Sequence, residues 1–250
     1  MRFERGLVAG ALLGGTLLGG ALAAGAVPAT VAAASVPTPS AATLYRQAIA
    51  TTNAWSVHYA SASTQSKVTL LVSGDAGPAS GTQTVATGKG TLTDNATIVV
   101  IGGITFVKGN VGGLENLAGM SASQANLAAG QWIQFATSNS AFAQVVAGVR
   151  SHDVAQELAL KGPLSLGHPR TIDGDAVDAI VGEQTLTGHK SQRVVLYVRA
   201  RGTHVPVEED SLNAKGQRTA AEHVTYSKWG EIVRPVAPQA TVSIGPVTTT

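Results

Sequence analysis

Thr97-Ile98-Val99-Val100-Ile101-Gly102-Gly103-Ile104-Thr105-Phe106-Val107-Lys108 sets two apolar, β-branched runs on either side of a Gly-Gly pair. A two-residue connection between strands needs positive φ, which glycine adopts without steric cost, so these twelve residues read as a hairpin. Moving upstream, the period of two continues in Ser56–Ser63, Lys67–Ser73, Gly81–Thr87 and Gly90–Thr93, with Gly-Asp and Gly-Pro punctuation between the runs. That is the pattern of an antiparallel meander. Downstream, Gln131–Phe135 reads as a short strand. Beyond the Asp173-Gly174 turn, Ala176–Gln184, Gln192–Arg199, His204–Glu209 and Arg218–Lys228 return to strand spacing.

Helical spacing occurs in a few short pieces. Thr43–Asn53 places Leu44, Ala48, Ile49 and Thr52 on one face. Ser121 and Gln124 form a capping-box pair opening a helix that runs through Ala128. Ser140–Val149 carries Phe142, Val145, Val146 and Val149 at helical intervals, and His152–Leu160 is a further helical segment stopped by Gly162-Pro163. Strands, then helices, then strands again give an α+β fold with helices packed on a single antiparallel sheet.

The ends of the chain differ from this body. Arg2 and Arg5 precede an apolar stretch from Leu7 to Leu22, no charge occurs between Arg5 and Arg46, and Ala-x-Ala candidates end at Ala26 and Ala34. Residues 1–34 therefore read as an export signal whose removal would leave Val27 or Ser35 first. The alternative is an uncleaved anchor, since Leu7–Val27 just reaches the ~20 residues of a membrane span. Exported lipoproteins carry a lipid on a cysteine after the small-residue box. This sequence has no cysteine, which removes both that anchor and any disulfide. Residues 35–42 are a Pro-punctuated linker, 43–238 the folded domain and 239–250 a tail. The protein is expected in the periplasm or cell envelope, or outside the cell.

Composition narrows the chemistry. A net charge of +2 and 13% charged residues in 250 form no basic surface, and no basic run interleaved with aromatics occurs, so nucleic acid is not an expected partner. Gly162-Pro163-Leu164-Ser165-Leu166-Gly167 is one residue off the spacing of a nucleophile elbow and follows a helix end, so it reads as a helix-terminating loop. The six histidines fall neither at i,i+4 spacing nor beside a cysteine, so no metal site is expected. Asp173-Gly174-Asp175 lacks the glycine and glutamate of a calcium loop. Glu208-Glu209-Asp210 reads as a solvated acidic face. No glycine pattern supports a nucleotide, no cofactor is implied, and no residue is assigned a catalytic role.

Apolar alternation remains. It places Val57 and Tyr59 with Val68, Leu70 and Val72 on one sheet face, joined by Ile104 and Phe106 and by Val194, Leu196 and Val198. The Phe142–Val146 helix is expected to cover that face. Alternation does not distinguish a filled core from a cavity. Because 97–101 and 194–198 are apolar on both sides, a one-residue slip reverses their faces.

The C-terminal third adds a resemblance. Leu196–Val198, Val205-Pro206-Val207, Gly216, Val224-Thr225-Tyr226-Ser227, Trp229-Gly230, Val233 and Pro238 follow the order of apolar strand, Val-Pro strand, glycine turn, long strand, Trp-Gly step and Pro-rich tail. In this the chain resembles the actinobacterial envelope lipoproteins of the LppX/LprAFG type. Ala54-Trp55-Ser56-Val57-His58-Tyr59, Gly103–Gly109 and Gly130-Gln131-Trp132-Ile133 match in the same order. The likeness implies a single curved antiparallel sheet, an incomplete barrel wrapped around a few helices as in the LolA/LolB carriers. It also implies a non-enzymatic binder or carrier of a lipid or lipoglycan. The expected ligand-binding residues are Val57, Tyr59, Leu70, Phe106, Phe142, Val146 and Leu196. An envelope interaction module of the same fold with a filled core, meeting a protein partner, is the alternative.

Overall fold

A computed structural model describes residues 39–139, 145–185 and 191–242. The first element is α1 (Ala41–Ala54), capped by Ser40, whose Oγ accepts from the Thr43 N–H at 3.2 Å. Its buried residues Leu44, Ala48 and Thr52 repeat every four positions, and the helix ends where Trp55 turns extended. A meander follows: β1 (Val57–Gln65), β2 (Val68–Ala76), β3 (Ser80–Lys89), β4 (Asp94–Ile101) and β5 (Ile104–Gly109). The β4–β5 hairpin closes at Gly102-Gly103, with Ile101 opposite Ile104 and Gly102 at φ 59°.

Short helices α2 (Val111–Asn116) and α3 (Ala122–Ala128) precede β6 (Ile133–Ala136). Asn110 caps α2 by accepting from the Gly113 N–H, and Ser121 and Gln124 form the expected capping box of α3. After α4 (Ser151–Glu157) come β7 (Leu160–Leu166), β8 (Arg170–Ile172), β9 (Asp175–Gln184), β10 (Gln192–Arg199), β11 (Pro206–Leu212) and β12 (Arg218–Ser227). The β8–β9 turn at Asp173-Gly174 has both φ values positive, 49° and 87°. Asp-Gly suits such a turn.

All twelve strands form one antiparallel sheet in the order β6-β5-β4-β3-β2-β1-β12-β11-β10-β9-β7, with β8 continuing the edge beside β9. The edge strands β6 and β7 do not pair with each other, so the sheet stays open. It nevertheless curls. Gln83 on β3 and Gln184 on β9 are six strands apart, about 29 Å on a flat sheet, yet both line one hollow of about 210 Å³.

Registers assign the faces. Tyr59 lies opposite Gly74 and Tyr226, Ser61 opposite Val72 and Val224, and Leu196 opposite Glu209 and Ile180. This inner face carries α1 and α4 over Val57, Tyr59, Ile180, Leu196 and Val224. Beside β4–β6 the same face carries Leu114, Met120, Ala125 and Ala128 from the α2–α3 region and Val145, Val146 and Val149. On the outer face of β9–β11, Val177, Ala179, Val195 and Tyr197 make a separate cluster, and the Arg170 guanidinium stacks over the Tyr197 ring at 3.9 Å.

After β12 the chain turns back as a strap. Trp229 donates from Nε1 to the Pro206 carbonyl at 2.9 Å, and the Gly230 N–H reaches the Ser56 carbonyl. Val233 lies against Gly77, the Thr241 hydroxyl meets Gln134, and Val242 bridges to β6. The Trp-Gly step is thus a structural anchor, tying the end of β12 to the entry of β1.

Several sequence expectations change. Among the described residues of 140–149, Val145–Gly148 is a turn, not a helix. Gly148 sits at φ 75°, and the spacing of Val145, Val146 and Val149 serves a compact loop equally well. Gly90–Thr93 is an irregular connection between β3 and β4, not a strand. The Gly162–Gly167 stretch extends as edge strand β7 with a bulge between Lys161 and Ser165, not as a loop. Proline is tolerated there because an edge strand leaves one side of its backbone unpaired. The acidic triplet is not a solvated face: Glu208, Glu209 and Asp210 are all buried in β11.

Candidate functional site

The hollow lies on the inner face, between the sheet and α4. Its walls are Tyr59, Leu70, Val72, Val154, Val224 and Tyr226; its polar groups are Gln83, Gln184, Glu157, Glu209 and Glu222. It opens two ways. Ser63, Leu70 and Glu222 also line a cleft of about 750 Å³ that extends over Val68, Thr87 and Lys89 to Leu117. On the other side, Glu157 and Gln184 line a cleft of about 700 Å³ that reaches Val146, Arg150 and Lys161.

Strand alternation explains why acids meet here. Consecutive residues of β11 face opposite sides, so Glu208 and Asp210 point outward and Glu209 inward. Outside, Asp210 contacts Arg218 at 2.6 Å and His223 at 2.8 Å. Glu208 pairs with Arg170 and Arg218. Burial works to raise the Asp210 carboxyl. The hydrogen bonds from His223 and Arg218, with the Arg218 charge, outweigh it and hold the carboxyl below its ordinary value. Asp210 is 2% exposed because those side chains lie over it, not because it sits deep in the sheet. Glu208, Asp210 and His223 converge closely enough for a metal ion, but two guanidinium groups already supply the countercharge.

Inside, Glu209 pairs with no cation among the described residues. It is 3% exposed; Oε1 accepts from Gln184 Nε2 at 3.1 Å, and Oε2 has no partner among the described residues. Gln184 Nε2 also donates to the Glu157 carbonyl at 2.6 Å, and Gln184 Oε1 has no partner among the described residues. Burial, followed by the charge of Glu222, raises the Glu209 carboxyl to about 8. Glu157 is raised to about 7, by burial and then by Asp153 and Glu222. Its surface is open, but it opens into the hollow and its second cleft, where the surrounding protein still disfavours charge. Tyr59 accepts from Gln83 Nε2 at 2.7 Å, and Gln83 also reaches the Ala147 carbonyl. Burial first, then neighbouring carboxylates, push the Tyr59 and Tyr226 hydroxyls above their usual range, so both stay protonated.

The expected ligand-binding residues are dispersed. Tyr59 and Leu70 line the hollow, and Val146 lines its second cleft. Val57 (1% exposed) and Leu196 (0%) are packed core on the inner face. Phe106 does not join them. It pairs with Val99, while its neighbour Val107 pairs with Ile98 on the inner face, so Phe106 points to the outer side. The β4–β5 hairpin is apolar on both faces, which is why alternation placed it one residue out. Phe142 lies outside the described residues. The sequence reading missed Glu157, Glu209, Glu222, Gln83 and Gln184. One signal was available: three successive acids in a strand whose one face is covered by helices must bury at least one carboxylate.

No protein-family model and no curated protein matches the sequence. Among solved structures, LprF from Mycobacterium bovis aligns with 81% of this chain and 99% of its own, at 13% identity and a TM-score of 0.52. The lipoprotein LppX from Mycobacterium tuberculosis covers 78% and 97%, at 15% identity and a TM-score of 0.44. A LolA superfamily protein from Nitrosomonas europaea covers 80% and 96%, at 12% identity and 0.30. The chain has the open, helix-covered antiparallel sheet of the LprF fold. Among the described residues no helix is long and apolar enough to cross a membrane.

Proposed function

We propose that the protein is an exported, non-enzymatic binder or carrier of a lipid or other amphiphile, held on the inner face between sheet and helices. The observation that carries this reading is the hollow itself. It interrupts an otherwise packed inner face and opens into two larger clefts, one of them bordered by Val68, Leu70 and Leu117. The resemblance to envelope lipoproteins of the LppX/LprAFG type points the same way, as does the export-type leader. A chain burying eight methylenes gains about 6 kcal/mol at ~0.8 kcal/mol each, before the entropic cost of association. Micromolar affinity needs about 8 kcal/mol, so a contacted headgroup or a second chain supplies the remainder.

Purified protein extracted with organic solvent should yield a stoichiometric amphiphile by mass spectrometry. Leu70→Glu should cut binding of a dodecyl amphiphile by at least about tenfold, since it places a charge where the chain must pass. A folded Leu70→Glu variant that binds like the parent moves the ligand elsewhere. The second reading, an envelope module that docks a protein partner, is favoured by the complete packing of Val57 and Leu196. It gains if the protein is isolated empty and takes up no amphiphile.

A further inference from the structure

We propose that the hollow receives the primary ammonium head of a cationic amphiphile; this rests on the carrier reading above and names its ligand class. Three carboxylates from three elements converge there: Glu157 from α4, Glu209 from β11 and Glu222 from β12. Among the described residues no lysine, arginine or histidine lines the hollow. Arg170 of β8 and Arg218 of β12 are spent on the opposite face, on Glu208 and Asp210, and Arg150, in the second cleft, is paired with Asp153. Within the hollow the acids therefore meet no cationic side chain among the described residues, and once ionised, above about pH 7 to 8, they disfavour an anionic ligand.

Two acceptors stand ready for N–H donors, Glu209 Oε2 and Gln184 Oε1, both buried and without partners among the described residues. A buried acceptor left unmet is costly, so this pair points to a ligand that donates. Tyr59 and Tyr226 supply aromatic surface to the same hollow, and aromatic faces attract a cation. A carboxylate, a second unmet acceptor and two rings together suit an ammonium with several protons. A volume of about 210 Å³ takes a head and the first methylenes, and the rest of the chain leaves past Leu70 into the larger cleft.

Protonation couples to binding. Without ligand, Glu209 and Glu157 hold their protons up to about 8 and about 7. The other titratable groups around them are Tyr45 of α1, Tyr59 of β1, Asp153 of α4, Asp210 of β11 and Glu222 and Tyr226 of β12, with Arg150 and Lys161 further out in the cleft that Glu157 shares. Tyr45, Tyr59 and Tyr226 are all shifted upward and stay neutral. An arriving ammonium stabilises the ionised acids, so binding releases protons and tightens as pH rises from 6 to 8.

Titration calorimetry with dodecylammonium, dodecyl maltoside and dodecanoate, each below its micelle concentration, tests this. At pH 8 the amine should bind at least about tenfold tighter than the maltoside, from one or two charge-assisted hydrogen bonds. Its advantage should shrink at pH 6. With a net charge of only +2, and of positive sign, overall attraction of cations does not produce such a preference. Glu209→Gln combined with Glu157→Gln should erase it while maltoside binding persists. Equal binding of amine and maltoside, or a preference that survives both substitutions, overturns the ammonium site and leaves the carrier reading intact. Failure of all three probes to bind overturns the carrier reading as well.

Discussion

Replacing Glu209 by glutamine changes one oxygen for an amide nitrogen in a side chain that is 3% exposed, and it should stabilise the protein in a pH-dependent way. The Glu209 carboxyl sits at about 8 in the folded state, against an ordinary value of 4.5. Below 4.5 both folded and unfolded chains hold the proton, and the residue adds no pH dependence. Between 4.5 and about 8 the unfolded chain gives up the proton while the folded chain keeps it, so rising pH favours unfolding. Each pH unit costs about 1.4 kcal/mol, and the whole window about 5 kcal/mol. The contribution is intact in acid and lost as pH rises through the folded value. Glutamine has no proton to lose. The variant should therefore match the parent within about 1 kcal/mol at pH 5 and exceed it by about 3–5 kcal/mol at pH 8. Urea unfolding at pH 5, 6.5 and 8 measures the gap. A gap that does not change with pH would refute the reasoning and show that Glu209 is ionised or well solvated in the folded protein.

Two further substitutions test packing on either face. Gly81→Ala would place a Cβ 1.9 Å from the Val149 carbonyl oxygen and 2.7 Å from that of Asp75. Both obstacles are backbone, so about 2–3 kcal/mol of stability should be lost, and an unchanged urea midpoint would mean that the segment before α4 does not lie against β3. Arg218→Ala removes the contacts to Glu208 at 2.8 Å and Asp210 at 2.6 Å, and should cost about 2–3 kcal/mol at neutral pH because Arg170 and His223 remain. Asp210 is held below its ordinary 3.8, so its pairing stabilises above that value and is lost as pH falls through the folded one. The penalty should fade in acid, and a penalty that persists undiminished there would assign Arg218 a packing role only.

Regular alternation made the meander legible. Gly102-Gly103 and Asp173-Gly174 marked real turns, Ser121 and Gln124 a real helix start, and Leu44, Ala48 and Thr52 a real helix face. Where local pattern is degenerate, it failed. Phe106 was placed on the wrong face because both sides of the β4–β5 hairpin are apolar, and only cross-strand pairing with Val99 settles its side. The loop at 145–148 mimicked a helix because Val145, Val146 and Val149, at helical intervals, fit a turn packed on the same core. The hollow was illegible for a different reason. Its groups come from β3, β9, β11, β12 and α4, and only the curl of the sheet brings Gln83 to the same space as Gln184. Hydrophobic patterning also directed attention to Val57 and Leu196, which fill space, and away from Glu209, whose value lies in being an acid in the wrong place.

The strand order carries a consequence for assembly in time. β1 to β5 form one run of hairpins and β9 to β12 another, each built from neighbours in sequence. Among the described residues the two runs pair as strands only where β1 meets β12, with His58 opposite Ser227, across most of the chain. Closing so long a loop must precede any gain from that ladder, which makes it the slow contact of the sheet. Tyr59 and Gln83 belong to the first run; Glu209, Glu222 and Tyr226 belong to the second. The hollow therefore does not exist in either half. It comes into being with the last seam to close, and an occupant bound there would bridge the two halves and resist their parting.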